Sequence, residues 1–463
     1  MINRNVVLNL ENWASRKNRK PLVLRGARQV GKTTVVNQFA KNFEQYIYLN
    51  LETISDKKLF ENYSDIKTLA QTIFLKKGKD YLKRKKTLLF IDEIQEIPEA
   101  FNYLRYFYEE IPELPVIVAG SLLETLLNRE IKIPVGRVEY MVMRPVSFSE
   151  FLNASGESLA LKEFNQIPLN NYAHDKLLTL FHTYAIIGGM PEIINQYLAS
   201  QDLTSLKSIY ESLITSYLED VEKYAHSEKQ TKVISHVIRS SFSEAGKRIK
   251  FQRFGKSEYG SRDISEAFQL LQRAYLMQLI YPSTGSKLPL QPDHHKSPRL
   301  QVLDTGLLNY MNGLQVDILG TDDLEKVYQG KVIEHLTGQE LISNDFNPLS
   351  KLHFWTREKN TSMAELDYLI IHNSKVIPIE VKSGKEGKLK SLHLFMDESP
   401  SKIAVRIYSG KLSITDVTTM TGKKYKLLNL PYYLTSQLTH YIDWMDEEIR
   451  KSTKNKKKNK KIN

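Results

Sequence analysis

Two glycines, a lysine and two threonines fall at fixed spacing in GARQVGKTT (26–34), between the apolar run PLVLR and the amphipathic VVNQFAKNF. Gly26, Gly31, Lys32 and Thr33 satisfy G-x-x-x-x-G-K-[ST]. The glycines let the backbone of Ala27, Arg28, Gln29 and Val30 curl so that successive N–H groups face phosphate oxygens. Lys32 is placed to reach the β- and γ-phosphates, and the Thr33 hydroxyl to meet a magnesium ion. The helix expected from about Lys32 to Asn42, with Thr34 in its first turn, aims its positive N-terminal end at the same phosphates. The chemistry is that of a nucleoside triphosphate.

Such a loop needs carboxylates opposite it. TLLFIDEIQ (87–95) is a continuous apolar run, the pattern of a central parallel strand buried on both faces, and it ends in Asp92 and Glu93. Carboxylates at the C-terminal end of such a strand face the crevice where α/β ligands bind. Asp92 is expected in the magnesium shell, and Glu93 is expected to orient and deprotonate the attacking water.

A second constellation lies far down the chain. AELDYLIIHNSKVIPIEVKSG (364–384) reads as a strand, a turn at Asn373 and Ser374, and a second strand. Asp367 lies in the first strand; Glu380 and Lys382, two apart, share a face of the second. This is the D…E-x-K arrangement of the PD-(D/E)XK nuclease-like fold, in which carboxylates hold magnesium and lysine serves the attacking water. Glu334, in the helical GKVIEHLTGQEL, is the acid expected from a preceding helix. E-x-K also occurs at Glu130–Lys132 and Glu386–Lys388, neither behind a matching strand, so the whole order carries the reading. Fold alone leaves both a cleaving and a merely docking domain open.

The elements that must position these residues are legible in outline. YIYLNLE (46–52) and LPVIVAGS (114–121) supply further strands, and strand–helix alternation over the first 150 residues argues a doubly wound parallel sheet. Taken in order, GARQVGKTT, FIDEIQ, VAGS, VGRVEYMVMRPVSFSEFL and IIGGMPE resemble the AAA-type ATPase domain of a widespread bacterial and archaeal group with a poorly characterised C-terminal region. The resemblance implies ATP as the nucleotide and Ser121 as the polar sensor of the γ-phosphate. It also implies Arg137 as an arginine stabilising transferring charge, in cis or from a neighbouring subunit. Residues 150–225, helical and opened by a Ser-x-x-Glu cap in SFSEFL, become by the same resemblance a helical lid. A plain helical linker is the alternative.

Between 226 and 318, two amphipathic helices precede the strand-like MQLIYPS and RLQVLD, the order of a winged helix. Lys247, Arg248, Lys250, Arg253 and Lys256 precede the second helix, so DNA binding and protein interaction are both open. His294 and His295 have no further metal ligand at useful spacing and read as loop histidines.

The 463 residues are too many for one core. The expected division is an ATP-binding domain to 149, a lid to 225, a winged helix to 318, a nuclease-like domain to 430, and a C-terminal helix with a lysine-rich tail. No cysteine is present, which excludes disulfides and thiolate zinc sites, and no apolar run approaches a membrane span. Cytoplasm is the default. Seven of the twelve net positive charges lie in KSTKNKKKNKKIN (451–463), read as a solvated tail or a phosphate-attracting one. The expectation is an ATP-hydrolysing protein coupled to DNA or RNA binding or cleavage, with no membrane partner and homo-oligomerisation open. An ATP-switched regulatory module with an inactive nuclease-like domain is the alternative, and a small-molecule kinase is less favoured.

Overall fold

The computed structural model describes residues 2–60, 65–120, 136–221, 225, 227–314, 331–359, 362–382 and 389–459, the side chains of 331, 359, 362 and 452–459 excepted. It is a multi-domain α/β protein, as the sequence argues.

Five short strands form the first sheet: β1 (Leu22–Arg25), β2 (Gln45–Asn50), β3 (Thr87–Asp92), β4 (Val116–Ala119) and β5 (Glu139–Val142). Their order is β2-β3-β4-β1-β5 and every pairing is parallel. All six residues of β3 are buried, which is why that run carries no polar alternation. Helices cover both faces. One face joins the large core that runs from Ile2 to Met445; the other has its own core around Leu69, Phe74 and Phe107.

The chain then turns helical. Ser147 and Glu150 form the expected capping box at the start of helix Phe148–Ala154. Helix His174–Ile187 breaks at Gly188, and Pro191 opens helix Pro191–Ser200, followed by Lys207–Glu219. Helices Glu228–Glu244 and Ser261–Arg273 precede an antiparallel ribbon of β6 (Met277–Ile280) and β8 (Arg299–Val302).

The second sheet has seven strands in the order β13-β14-β12-β11-β10-β9-β7. They are β7 (Pro282–Ser283), β9 (His353–Lys359), β10 (Ser362–His372), β11 (Lys375–Val381), β12 (Ile403–Tyr408), β13 (Ser413–Thr418) and β14 (Lys424–Pro431). Asn373 and Ser374 join β10 to β11 with φ of 47° and 57°, the left-handed pair that a two-residue hairpin demands. β7 pairs with β9, so the expected boundary at 318 does not separate the sheets cleanly. Helix Leu438–Asn459 carries regular backbone into the lysine-rich end, where a tail is expected; lysine is a good helix former.

The parts meet at a buried polar node. The Gly189 N–H donates to Asp304 Oδ2 at 2.6 Å, and its carbonyl accepts from Val146 at 2.7 Å. Glu340 Oε1 accepts from the Phe148 N–H at 3.2 Å and the Tyr184 hydroxyl at 2.8 Å. Thr305 donates its N–H and hydroxyl to Gln339 Oε1 at 3.0 and 2.9 Å. Polar groups this deep must be paired, so the node fixes how the segments seat.

Burial pushes the Glu340 carboxyl up to about 7. The folded chain therefore keeps a proton there that the unfolded chain releases near the ordinary value. That contribution to stability is full in acid and is lost as pH rises through about 7. Wild type should lose on the order of 3 kcal/mol relative to Glu340→Gln between roughly pH 5 and 8, measured by denaturant titration. Burial lowers His335 to about 4, which tilts stability the other way. The histidine is common to both proteins and cancels in the difference. A flat difference would mean that Glu340 ionises without cost.

Candidate functional site

The first site lies at the C-terminal ends of β1 and β3. The loop after β1 needs unusual backbone: Gly26 has φ of 140° and Gly31 of 92°, and Gln29 also takes positive φ, 64°. A Cβ on Gly26 would lie 2.4 Å from the Met143 carbonyl oxygen, so only glycine fits. Arg4 braces the loop from outside, donating to the Val30 carbonyl at 2.9 Å and to that of Arg144 at 2.7 Å while pairing with Glu150.

Lys32 opens helix Lys32–Phe39 and is buried, its ammonium donating to the carbonyls of Gly26 (3.0 Å) and Ala27 (2.9 Å). Burial lowers it to about 8, against the pull of Glu93 and Asp92. The Thr33 hydroxyl donates to Asp92 Oδ2 at 2.6 Å, and the Tyr48 hydroxyl approaches the same oxygen at 3.4 Å. Burial raises the Asp92 carboxyl, opposed by the Thr33 bond. Glu93 leaves the strand in the left-handed region, φ 50° and ψ 44°, a conformation that costs a non-glycine residue about 1–3 kcal/mol. The turn swings its carboxylate off the strand, where Gln95 donates to it.

A cleft of about 690 Å³ opens over this loop, bounded by Arg28, Lys32, Thr33 and Glu93 on one side and by Glu192, Asn195 and Ile209 on the other. Arg28 pairs with Asp220 beyond helix Lys207–Glu219, a bond that raises its pKa, and its carbonyl accepts from Tyr217 at 3.3 Å. The loop, Asp92 and Glu93 thus gather as expected. Sequence reasoning missed Arg4, Tyr48, Asp220 and the cleft wall at 192–209. Only IIGGMPE, which ends in Glu192, signalled any of these.

Two expectations fare differently. Ser121 lies outside the described residues. Arg137 precedes β5, whose first residue Glu139 pairs with Leu22, so it sits at the opposite end of the sheet from the phosphate loop. It is half-exposed and bound to Glu109 at 2.8 Å. Within one chain this geometry does not bring Arg137 to the phosphates; among the described residues the cations lining the cleft are Lys32 and Arg28.

The C-terminal residues also converge, around an arginine. Tyr368 pairs with Ile379, which sets Asp367 beside Glu380 across β10 and β11. Asp367 Oδ2 accepts from the Val381 N–H at 2.7 Å, and Lys382 binds Glu380 Oε1, leaving buried Oε2 without a partner. Arg299, buried on β8, donates to the Asp367 carbonyl at 2.9 Å and to Glu365. It stands 3.9 Å from Glu334 and 4.0 Å from Asp367 Oδ1. Burial first, then the charge of Asp367, raises both Glu334 and Glu380. Among the described residues no group of three or more His, Asp and Glu side chains is arranged to hold a metal ion. The residues present fit a guanidinium better than magnesium.

Of the five basic residues before helix Ser261–Arg273, Arg248 pairs with Glu358 at 2.7 Å and Lys247 with Glu244 at 3.3 Å. Those two charges are spent inside the chain. The His294 ring packs on Tyr281. No helix among the described residues is long and apolar enough to cross a membrane.

Residues 18–152 match a family model described as an AAA domain. Residues 178–317 and 329–433 match two domains of unknown function, DUF8612 and DUF4143. No curated relative matches the chain. Among solved structures, a Walker-type ATPase of Pyrococcus abyssi is 13% identical, with 67% of this chain and 96% of that one covered and a TM-score of 0.44. A signal-transduction ATPase with a tetratricopeptide-repeat sensor from Pyrococcus horikoshii is 15% identical over 74% and 48%, TM-score 0.27. AMPPCP-bound DnaA from Aquifex aeolicus is 14% identical over 58% and 86%, TM-score 0.23. These scores are too low to transfer any residue or role.

Proposed function

We propose, from the AAA-type domain of residues 18–152 as premise, that the chain hydrolyses ATP and couples the nucleotide's presence to nucleic-acid binding by its C-terminal half. The observation that carries the ATPase reading is the meeting of Lys32, the Thr33–Asp92 pair and Glu93 under one cleft. The loop N–H groups and Lys32 bind the triphosphate, Arg28 supplies a second cation at the cleft wall, and Glu93 takes the proton of the attacking water. Thr33 and Asp92 are an all-oxygen donor set suited to a hard cation and would hold magnesium, which supplies charge neutralisation at the phosphates when bound. Coupling has a route. Arg28–Asp220 ties the loop to the lid, and the Gly189–Asp304 bond ties the lid to the segment between β7 and β9 of the second sheet.

For the acidic pole of Glu334, Asp367, Glu380 and Lys382, Arg299 favours docking over cleavage. A buried guanidinium already stands 3.9 and 4.0 Å from two of the carboxylates that a nuclease would offer to magnesium and competes for their charge. Single- and double-stranded DNA and RNA should therefore survive incubation with the protein, ATP and magnesium or manganese. Asp367→Ala should leave ATP turnover near the wild-type rate, read by phosphate release. Metal-dependent cleavage by wild type, lost in Asp367→Ala and Lys382→Ala, would overturn the docking reading and restore the nuclease.

A further inference from the structure

Strands β11, β12 and β14 run parallel, and a groove of about 670 Å³ opens across their N-terminal ends. Glu380 lies five residues along β11 from Lys375, so the acidic pole is about 17 Å away at the other end of the strand. Five lysines line the groove: Lys287, Lys375, Lys402, Lys424 and Lys426. Asp446 binds Lys375 at 3.2 Å and Asp416 binds Lys426 at 2.6 Å. Lys287, Lys402 and Lys424 are exposed, and among the described residues no acid pairs with any of them. Three positive charges therefore converge without compensation.

The floor is apolar where Val376 and Ile403 lie buried, and it includes Tyr425, whose buried hydroxyl has no hydrogen-bond partner. One wall is helix Leu438–Asn459, which contributes Asp446 and Ile449 and then runs on into Lys451, Lys454 and Lys456 to Lys458. The positive charge is thus continuous in sequence from the groove wall into the lysine-rich end. A single small anion would need only the groove. A flat lipid surface could not fill an apolar-floored concavity. A polymer with regularly spaced phosphates and apolar faces uses rim, floor and helix together.

We propose that this groove holds a single-stranded nucleic acid, with Lys287, Lys402 and Lys424 on its phosphates and bases over the floor. The proposal rests on the nucleic-acid reading above and gives it a surface remote from Asp367 and Glu380. The test uses full-length protein with Lys402→Gln and Lys424→Gln combined, against fluorescein-labelled oligo-dT in a salt titration read by anisotropy. Losing two phosphate contacts should flatten the log–log salt slope by about 1.4 and weaken binding about 25-fold at roughly 0.1 M salt. ATP turnover without nucleic acid should not change. If wild type binds and the double variant matches its affinity and slope, the groove is not the surface, while the nucleic-acid reading stands. If wild type binds no single- or double-stranded DNA or RNA, both readings fail. Binding to phosphatidylserine vesicles in place of any nucleic acid would overturn the proposal in favour of a lipid partner.

Discussion

Lys32→Ala should abolish measurable ATP binding, whereas Glu93→Gln should keep the affinity and trap the unhydrolysed nucleotide. The two residues act at different stages. Among the described residues Lys32 is buried and hydrogen-bonded only to two loop carbonyls, so its charge is poised for an incoming phosphate. Removing one partner of a buried charge pair costs about 2–5 kcal/mol, so affinity should fall on the order of 100-fold or more. The Glu93 carboxylate is held by Gln95, and it acts on Lys32 and Arg28 in the loop through its charge. Its loss removes a general base, worth roughly 10²–10⁴ in rate, and little ground-state binding. Titration calorimetry and phosphate release separate the two effects. Wild-type turnover in Glu93→Gln would remove Glu93 from the role of base.

Gly188→Ala should be severely destabilising. The residue has φ of 75° and ψ of −167°, a region essentially closed to other residues. The added methyl would also fall 2.3 Å from Asp304 Oδ1 and 2.4 Å from the Gly306 nitrogen, neither of which can yield without opening the node. Backbone strain and overpacking together should cost about 4 kcal/mol. Gly156→Ala is the control: its φ is also 75°, but nothing lies within 4 Å of the new methyl. It should cost about 1 kcal/mol, the left-handed penalty alone. Equal losses by thermal or denaturant melting would show that crowding at the node contributes nothing.

What was legible in the sequence was local. The phosphate loop is nine consecutive residues, β3 is a single apolar run, and the Asn373–Ser374 turn sits between two strands. In each the spacing along the chain is the spacing in space. The parallel sheet followed from the strand pattern, and the AAA-type domain from the resemblance carried by the ordered motifs. What was not legible joins residues hundreds of positions apart. Asp304 carries no pattern announcing that it will cap Gly189, and nothing near Glu340 announces Tyr184 or Phe148 as its partners. Arg299 looks like any strand-end arginine until β8 is laid beside β10, where it enters the acidic pole. The resemblance implies Arg137 at the phosphates, in cis or from a neighbouring subunit, and within one chain sheet register puts it at the far end. The groove lysines were invisible for the same reason, since three strand starts from separate stretches form its edge.

The contacts of the first residues set an order in time. Asn5 donates to Asn344 at 2.8 Å, and Val142 at the open edge of β5 donates to the Phe346 carbonyl at 2.9 Å. Arg4, one residue before Asn5, grips the Val30 carbonyl in the phosphate loop. As the chain leaves the ribosome, residues 344–346 emerge about two hundred positions after the first sheet is complete. At roughly 5–20 residues per second that interval is about 10–40 s. Through it the nascent protein holds a nucleotide loop whose neighbouring sheet edge, and the Asn5 contact beside its brace, are unfinished. A ribosome-bound chain stopped near residue 320 should bind ATP more weakly than one that has passed residue 346, so newly made copies reach full affinity late in synthesis.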